Sequence, residues 1–350
     1  MKVALVGIKG DFDPGLGAGI QRYMFELYRN LKRLSEGIDK IEFKKVRFIG
    51  NGLSVAIQTL FKNFSEYKII HNLLPVPFFI PFIKPKSCIC ISTVHDFQPL
   101  LYPEFTFEHG TALKDRLWMV FVIKFGLKRM LDSDYLIVNS TQTKEEAIKL
   151  GFEGKRIFVI NHGIDKRFCR KHGRVFGKKK NVFKVSYIGV MVKRKNIKFA
   201  IDSANLIKNQ NILFEIWGKR AWEYDYLLHQ VKNKNVSFMG FAPEKKLVQI
   251  YDSSDVFVFP SLHEGFGLPI LEAQARGLPV IIYKYGKIPK EVRKYCFEAK
   301  SPEHMAQIIE NLKENGYNRK LQKKATEYAR SFTWEKTARE TLKVYRKVIN

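Results

Sequence analysis

The sequence predicts an α/β protein made of two doubly wound domains that face each other across a cleft. Three observations carry this. Short apolar, strand-like runs alternate with helix-like segments along the whole chain. The run KVSYIGV (184–190) echoes KVALVGI (2–8), and both close on a glycine, as the first strand of a doubly wound domain does. Between the two halves, Asp165 to Lys184 carries nine Lys or Arg and few aliphatic residues, which reads as a linker with an exposed basic loop.

The elements follow in order. In the first half, strand patterns fall at 3–8, 43–49, 67–71, 88–94, 135–139 and 156–160, and helical patterns at 20–33, 54–63, 110–132 and 142–150. In the second half, strands fall at 184–190, 212–218, 235–239, 256–260 and 279–283. The last stretch sets Trp334, Ala338, Leu342 and Tyr345 on one helical face. The resulting organisation is an N-terminal domain at 1–165, a basic linker at 166–183, a C-terminal domain at 184–332 and a terminal helix at 333–350 that packs back on the first domain.

A length of 350 residues suits two domains, and 45% hydrophobic residues suffice for their cores. Charged residues at 27% argue against a membrane-embedded protein. The N-terminus MKVALVGIKG reads as a first strand and its turn, not as a signal peptide. Cys88, Cys90, Cys169 and Cys296 form neither a zinc spacing nor a disulfide framework, which suits a reducing cytoplasm. A net charge of +27 calls for an anionic partner: nucleic acid, a membrane surface or nucleotide substrates. No nucleic-acid recognition motif is present, so nucleic acid is not expected. The run LLPVPFFIPFI (73–83) is too short and proline-rich to span a bilayer. The run LWMVFVIKFGL (117–127), flanked by Lys114, Arg116, Lys128 and Arg129, fits a helix at an anionic membrane surface, where each basic residue is worth about 1 kcal/mol. The expected location is cytoplasmic and peripheral, on the inner face of the cell membrane.

The most informative segment is FVFPSLHEGFGLPILEAQARGLPVII. Glu264 and Glu272 sit eight positions apart, Pro269 opens a helix, and Gly277 closes it. Gly265-Phe266-Gly267 can lay backbone amides against a ligand, because glycine blocks nothing. Glu272 is expected in the first helical turn, where the dipole favours an anion. Donors for a phosphate beside acceptors for hydroxyls match the two halves of a nucleotide-sugar.

This E-x7-E pattern after PSxxE resembles the donor-binding motif of retaining glycosyltransferases of family 4, two-domain enzymes of the GT-B architecture with Rossmann-like domains. The resemblance runs in order along nearly the whole chain. It implies that Glu272 accepts from the ribose hydroxyls, that Glu264 approaches the transferred sugar, and that the amides of Phe266, Gly267 and Leu268 take sugar hydroxyls and phosphate oxygens. In YIGVMVKRKN (187–196), Gly189 and Lys195 match the family's diphosphate element. The arginine position is Val190 here, so Lys193 or Arg194 is left to supply the missing cation. Gly218, at the end of the next strand, is counted with the donor side. Gly15 to Tyr23 resembles the family's GGIxRY loop with Ala18 replacing a glycine, which puts Gly17 and Gly19 near the leaving phosphate or the acceptor. His95-Asp96 resembles the HD motif on the acceptor side, with Asn139 at a further strand end. Ile288-Pro289-Lys290-Glu291 stands where the family often has PE directly.

The resemblance therefore implies transfer of a sugar, with retention, from a UDP- or GDP-sugar to a lipid-linked (polyprenyl) or polysaccharide acceptor, as in cell-surface glycan synthesis. Glu264, His95 and Lys195 are the expected catalytic residues. No DxD-like signature marks the motifs, so no metal and no cofactor are expected. The alternative is a non-catalytic nucleotide-sugar or glycan-binding protein of the same fold, which the loss of arginine at Val190 favours.

Overall fold

Strands buried on both faces need unbroken apolar runs, and those runs assemble here into two separate parallel sheets. The computed structural model describes residues 1–8, 19–35, 42–48, 63–73, 87–105, 133–170, 181–221 and 223–349. The chain divides into two units, Met1–Gly163 with Thr333–Asn350, and Ile164–Phe332.

The first unit holds β1 (Lys2–Ile8), α1 (Ile20–Ser35), β2 (Glu42–Phe48), β3 (Ile69–Asn72), β4 (Ile89–Val94), α2 (Gln98–Leu101), β5 (Tyr135–Val138), α3 (Thr141–Lys149) and β6 (Ile157–Val159). Its strands lie in the order β2-β1-β3-β4-β5-β6, all parallel. The second unit holds α4 (Lys166–Cys169), β7 (Phe183–Ile188), α5 (Ile197–Leu206), β8 (Ile212–Trp217), α6 (Tyr224–Gln230), β9 (Val236–Gly240), α7 (Leu247–Ser253), β10 (Val256–Phe259), α8 (Leu268–Ala275), β11 (Val280–Tyr283), α9 (Lys290–Arg293), β12 (Phe297–Ala299), α10 (Pro302–Asn315) and α11 (Arg319–Arg330). Its order is β12-β11-β10-β7-β8-β9, again all parallel. The chain then returns to the first unit as α12 (Trp334–Ile349).

Every strand the sequence predicts is present to within a few residues. One was missed: β12 has three residues and too little apolar pattern to announce itself. The helices expected at 20–33 and 142–150 are α1 and α3. The helix expected at 110–132, nearly all of that at 54–63, and both proposed membrane-contacting runs lie outside the described residues, apart from Leu73. Among the described residues no helix is long and apolar enough to cross a membrane. In the expected linker, Lys166–Cys169 is a helical turn of the second unit. Asp165 caps it by accepting from Arg167 N, and Arg167 pairs with Glu244.

In the second unit, the chain winds outward from β7 to β8 and β9, then crosses to the other side of β7 for β10, β11 and β12. The strand order therefore reverses between β7 and β10. Loops leaving adjacent strands on opposite sides part there and open a crevice at the carboxyl ends. The segments that follow β7 and β10 are those the sequence singles out.

The terminal helix is tied to the first unit by its apolar face and by polar contacts from Glu335, Thr337 and Tyr345. Trp334, Ala338, Leu342 and Tyr345 are all buried, as their spacing predicts, and α12 runs along α1. Tyr345 Oη lies 2.5 Å from His71 Nδ1, and His71 Nε2 lies 2.7 Å from Thr93 Oγ1. Tyr345→Phe strands one buried nitrogen of His71, which costs about 1–3 kcal/mol. Urea unfolding of the intact chain is expected to show that loss in the transition reporting the first unit; an unchanged midpoint would contradict the structural role given to this contact.

Candidate functional site

Two glycines at neighbouring strand ends set the geometry of the second unit's crevice. Gly189 N donates to Trp217 O at 2.9 Å, just beyond β7 and at the end of β8. A Cβ on Gly218 would lie 1.8 Å from Gly189 O, so only glycine lets the two ends run this close. After Gly189 the chain makes a tight turn through Lys193–Lys195 into Asn196, which adopts φ 52°. Asn196 Nδ2 donates to Pro260 O at 3.1 Å, and Leu262 N donates to Arg194 O at 2.8 Å. The loop after β10 is fixed in turn by Lys287 N donating to Leu262 O at 2.8 Å and Glu264 N donating to Lys287 O at 2.9 Å. The two loops are thus joined by backbone on both sides of the strand-order reversal.

That stitching brings two opposite charges together. Lys195 Nζ lies 2.5 Å from Glu264 Oε1, with the residues 9% and 6% exposed. Arg194 Nη1 is 3.6 Å from Glu264 Oε2 and 3.5 Å from His263 O. Burial pushes the Glu264 carboxyl up, but Lys195 and Arg194 outweigh it and hold the group below its ordinary value. The ammonium also sits 4.9 Å from the centre of the Phe259 ring. Lys193 is exposed, and Val190 is 41% exposed. Of the two candidates to replace an arginine at Val190, Arg194 is therefore the one that reaches the charged centre.

The loop Gly265-Phe266-Gly267 differs from the sequence reading in two respects. It is buried, and Phe266 turns into the core against Phe332 at 6.1 Å between ring centres. The glycine requirement is at Gly267, which caps α8 with φ 99°, a conformation side chains resist. Pro269 stands second in α8 and Gly277 closes it with φ 84°, as expected. Glu272 is not in the first turn. Leu268 begins the helix, so Glu272 is its fifth residue, 3% exposed, and accepts a hydrogen bond at Oε2 from Tyr251 Oη at 3.0 Å. It thus sits beyond the first turn, where the helix dipole acts, and is held by a side chain of α7. Nothing in the spacing of the chain pointed to Tyr251, which lies 21 residues away.

In the first unit, the described part of the expected phosphate loop is Gly19, at φ 42°, whose carbonyl accepts from Tyr23 N at 3.0 Å as α1 begins. Gly17 lies outside the described residues. His95 follows β4 and is 6% exposed. Its Nε2 is 3.2 Å from Leu73 O; a carbonyl only accepts, so the proton sits on Nε2 and Nδ1 carries the lone pair. Nδ1 has no hydrogen-bond partner among the described residues. Asn139 sits behind His95, with Nδ2 donating to His95 O at 2.8 Å and Oδ1 accepting from Thr143 Oγ1 at 3.1 Å. Asp96 Oδ1 accepts from Gln98 N at 3.3 Å, which starts α2. Two buried histidines meet around Tyr23, whose ring stacks on His162 at 4.7 Å and meets His95 edge-on at 4.9 Å. Tyr23 Oη is 3.1 Å from Thr93 Oγ1, which joins this group to His71 and Tyr345. His71 and His162 carry no spacing that marks them in the sequence. Their convergence depends on tertiary packing.

Residues 40–168 match the family described as Glycosyltransferase Family 4, and residues 170–332 match Glycosyl transferases group 1. The two matches together cover most of the chain, and the second unit is similar to the group 1 glycosyl transferases. The O-antigen chain mannosyltransferase B of Escherichia coli is 29% identical over 171 residues, 46% of this chain and 45% of that protein. The D-inositol 3-phosphate glycosyltransferase of Paenarthrobacter aurescens is 26% identical over 248 residues, 64% of this chain and 60% of that protein. The chain spans about half the length of the curated relatives it matches. Among solved structures, the sucrose-phosphate synthase of Thermosynechococcus elongatus superposes with a TM-score of 0.77 at 17% identity, covering 99% of this chain and 98% of that one. Anabaena HepE, solved with UDP and glucose, gives a TM-score of 0.67 at 17% identity over 99% of this chain and all of that one. At these identities the likeness shows the fold alone, the GT-B architecture.

Two outcomes follow from the geometry. Gly218→Ala forces Gly189 O away, and overpacking of this kind costs roughly 1–3 kcal/mol. Thermal unfolding is expected to drop accordingly, and a silent substitution would contradict the close approach. The histidines give the second. Burial lowers His71 to about 3 and His95 to about 4 from an ordinary 6.5, and holds His162 well below it. The folded state refuses protons that the unfolded chain accepts, so stability is complete above about pH 6.5 and falls as pH drops toward 4, by up to about 1.4 kcal/mol per pH unit per histidine. Melting temperatures measured from about pH 7.5 to 4.5 are expected to fall, less steeply in His95→Asn; equal slopes would contradict the assignment.

Proposed function

We propose that the protein is a retaining glycosyltransferase that moves a sugar from a UDP- or GDP-sugar to a lipid-linked or polysaccharide acceptor at the inner face of the cell membrane. The observation that carries this reading is the buried Lys195–Glu264 pair at the strand-order reversal of the second unit, with Arg194 beside it and Glu272 eight residues on. A nucleotide-sugar presents a diphosphate to the cations, hydroxyls to the carboxylates and a nucleoside to Glu272. The names of the similar proteins support the class: a mannosyltransferase, and a structure holding UDP and glucose. The excess of basic residues supports attraction to an anionic leaflet.

Chemically, departure of the nucleoside diphosphate leaves negative charge on the phosphate oxygen once bonded to the anomeric carbon. Lys195 and Arg194 neutralise that charge as it develops, in a site already ordered. Glu264 faces the positive charge that grows at the anomeric carbon or holds a sugar hydroxyl. The incoming acceptor hydroxyl attacks from the face the leaving group vacates, and the phosphate oxygen takes its proton, which retains the anomeric configuration. In the first unit, His95 offers Nδ1 as a neutral acceptor for a sugar or acceptor hydroxyl. The motifs lack a metal-binding signature, so EDTA is expected to leave turnover unchanged.

The test is incubation with labelled UDP- and GDP-sugars and polyprenyl-phosphate-linked glycans, following transfer and donor hydrolysis. Binding without either reaction would favour a non-catalytic sugar-nucleotide binder. Charge removal separates binding from chemistry. Glu264→Gln releases Lys195 and Arg194 from their carboxylate, so inorganic pyrophosphate is expected to bind several-fold more tightly while transfer falls about 10²–10³-fold. Weaker pyrophosphate binding in this variant would contradict the placement of phosphate at Lys195.

A further inference from the structure

We infer that Tyr251 is a positioning residue for nucleoside recognition, acting through Glu272. The inference rests on the reading that Glu272 receives the ribose hydroxyls. A carboxylate binds a pair of adjacent hydroxyls well only when its plane and rotamer are already held, since a free glutamate loses rotamer entropy on binding. Here one oxygen is fixed before any ligand arrives. Tyr251 Oη donates to Glu272 Oε2 at 3.0 Å, and both residues are buried. The phenol cannot shift, because its ring is packed edge-on against Phe168 at 5.8 Å and Phe257 at 5.4 Å.

The neighbouring contacts show that this hydrogen bond is not needed to hold the helices together. Arg276, at the end of α8, grips Asp252 of α7 through two bonds, Nε to Oδ1 at 2.7 Å and Nη2 to Oδ2 at 2.8 Å. Arg276 Nη1 also donates to Arg170 O at 2.8 Å. The α7–α8 contact is thus clamped at Asp252 by a bidentate ion pair, while the adjacent Tyr251 donates its hydroxyl to Glu272. Removing that hydroxyl takes a hydrogen bond from the carboxylate and leaves the clamp in place. The diphosphate, held by Lys195, does not sense the change, so the two ends of the donor respond differently.

The experiment is calorimetric titration of the full chain with UDP, GDP and inorganic pyrophosphate, in wild type, Tyr251→Phe, Glu272→Ala, the double variant and Asp252→Asn. Tyr251→Phe is expected to weaken whichever nucleotide the wild type takes by about three- to tenfold, with pyrophosphate affinity unchanged within about twofold. In the Glu272→Ala background it is expected to have no further effect on nucleotide binding. Asp252→Asn, which loosens the helices without touching Glu272, is expected to leave the ratio of nucleotide to pyrophosphate affinity as in wild type. Three results overturn the inference: wild-type nucleotide affinity in Tyr251→Phe, an equal loss for pyrophosphate, or an additive loss in the double variant. A wild type that binds pyrophosphate but neither nucleotide overturns the donor reading beneath it, and the inference falls with it.

Discussion

A buried charge must be held by an opposite one, and in the second unit that requirement falls on Lys195 and Glu264. Leaving either without its partner at this burial would cost several kcal/mol. The constraint reaches well beyond the pair. Lys195 arrives at the end of a turn that needs Asn196 at φ 52° and Gly218 without a side chain. Glu264 arrives on a loop pinned by Lys287 and capped by Gly267 into α8. The parallel strand order, which reverses between β7 and β10, sets both loops side by side. The same pair is suited to chemistry because it is preorganised: the cation is in place before a phosphate arrives.

The first unit solves a different problem, the burial of polar rings. His71, Thr93, Tyr23 and Tyr345 satisfy one another in a chain of hydrogen bonds that begins on α12 and ends on α1. Tyr23 then packs against His95 and His162. A helix supplied by the last residues of the chain therefore supports the side chain that frames His95, and His95 keeps a fixed tautomer through Leu73 O. All three imidazoles stay neutral through the ordinary pH range, so this region acts by hydrogen bonding rather than by charge.

What was legible in the sequence was whatever local chemistry encodes. Short apolar runs marked the strands, and proline and glycine marked both ends of α8. The two glutamates and Lys195 stood out because each lies just past an apolar run, where such folds build sites. The parts that were not legible depend on contacts distant in sequence. Tyr251 meets Glu272 only because α7 packs on α8. His162 meets Tyr23, and His71 reaches it through Thr93, only after the sheet has formed. Glu272 was placed a turn too early because the helix starts at Leu268, and the contact of Phe266 with Phe332 had no local signal. Strand β12 escaped because three residues carry no period.

The most direct measurement is a crystal structure of the protein with UDP or GDP bound. The account predicts a diphosphate oxygen within about 3 Å of Lys195 Nζ and the ribose hydroxyls on the Glu272 carboxylate. A nucleotide bound elsewhere, with Lys195 and Glu264 unchanged and Glu272 bonded only to protein, would contradict it.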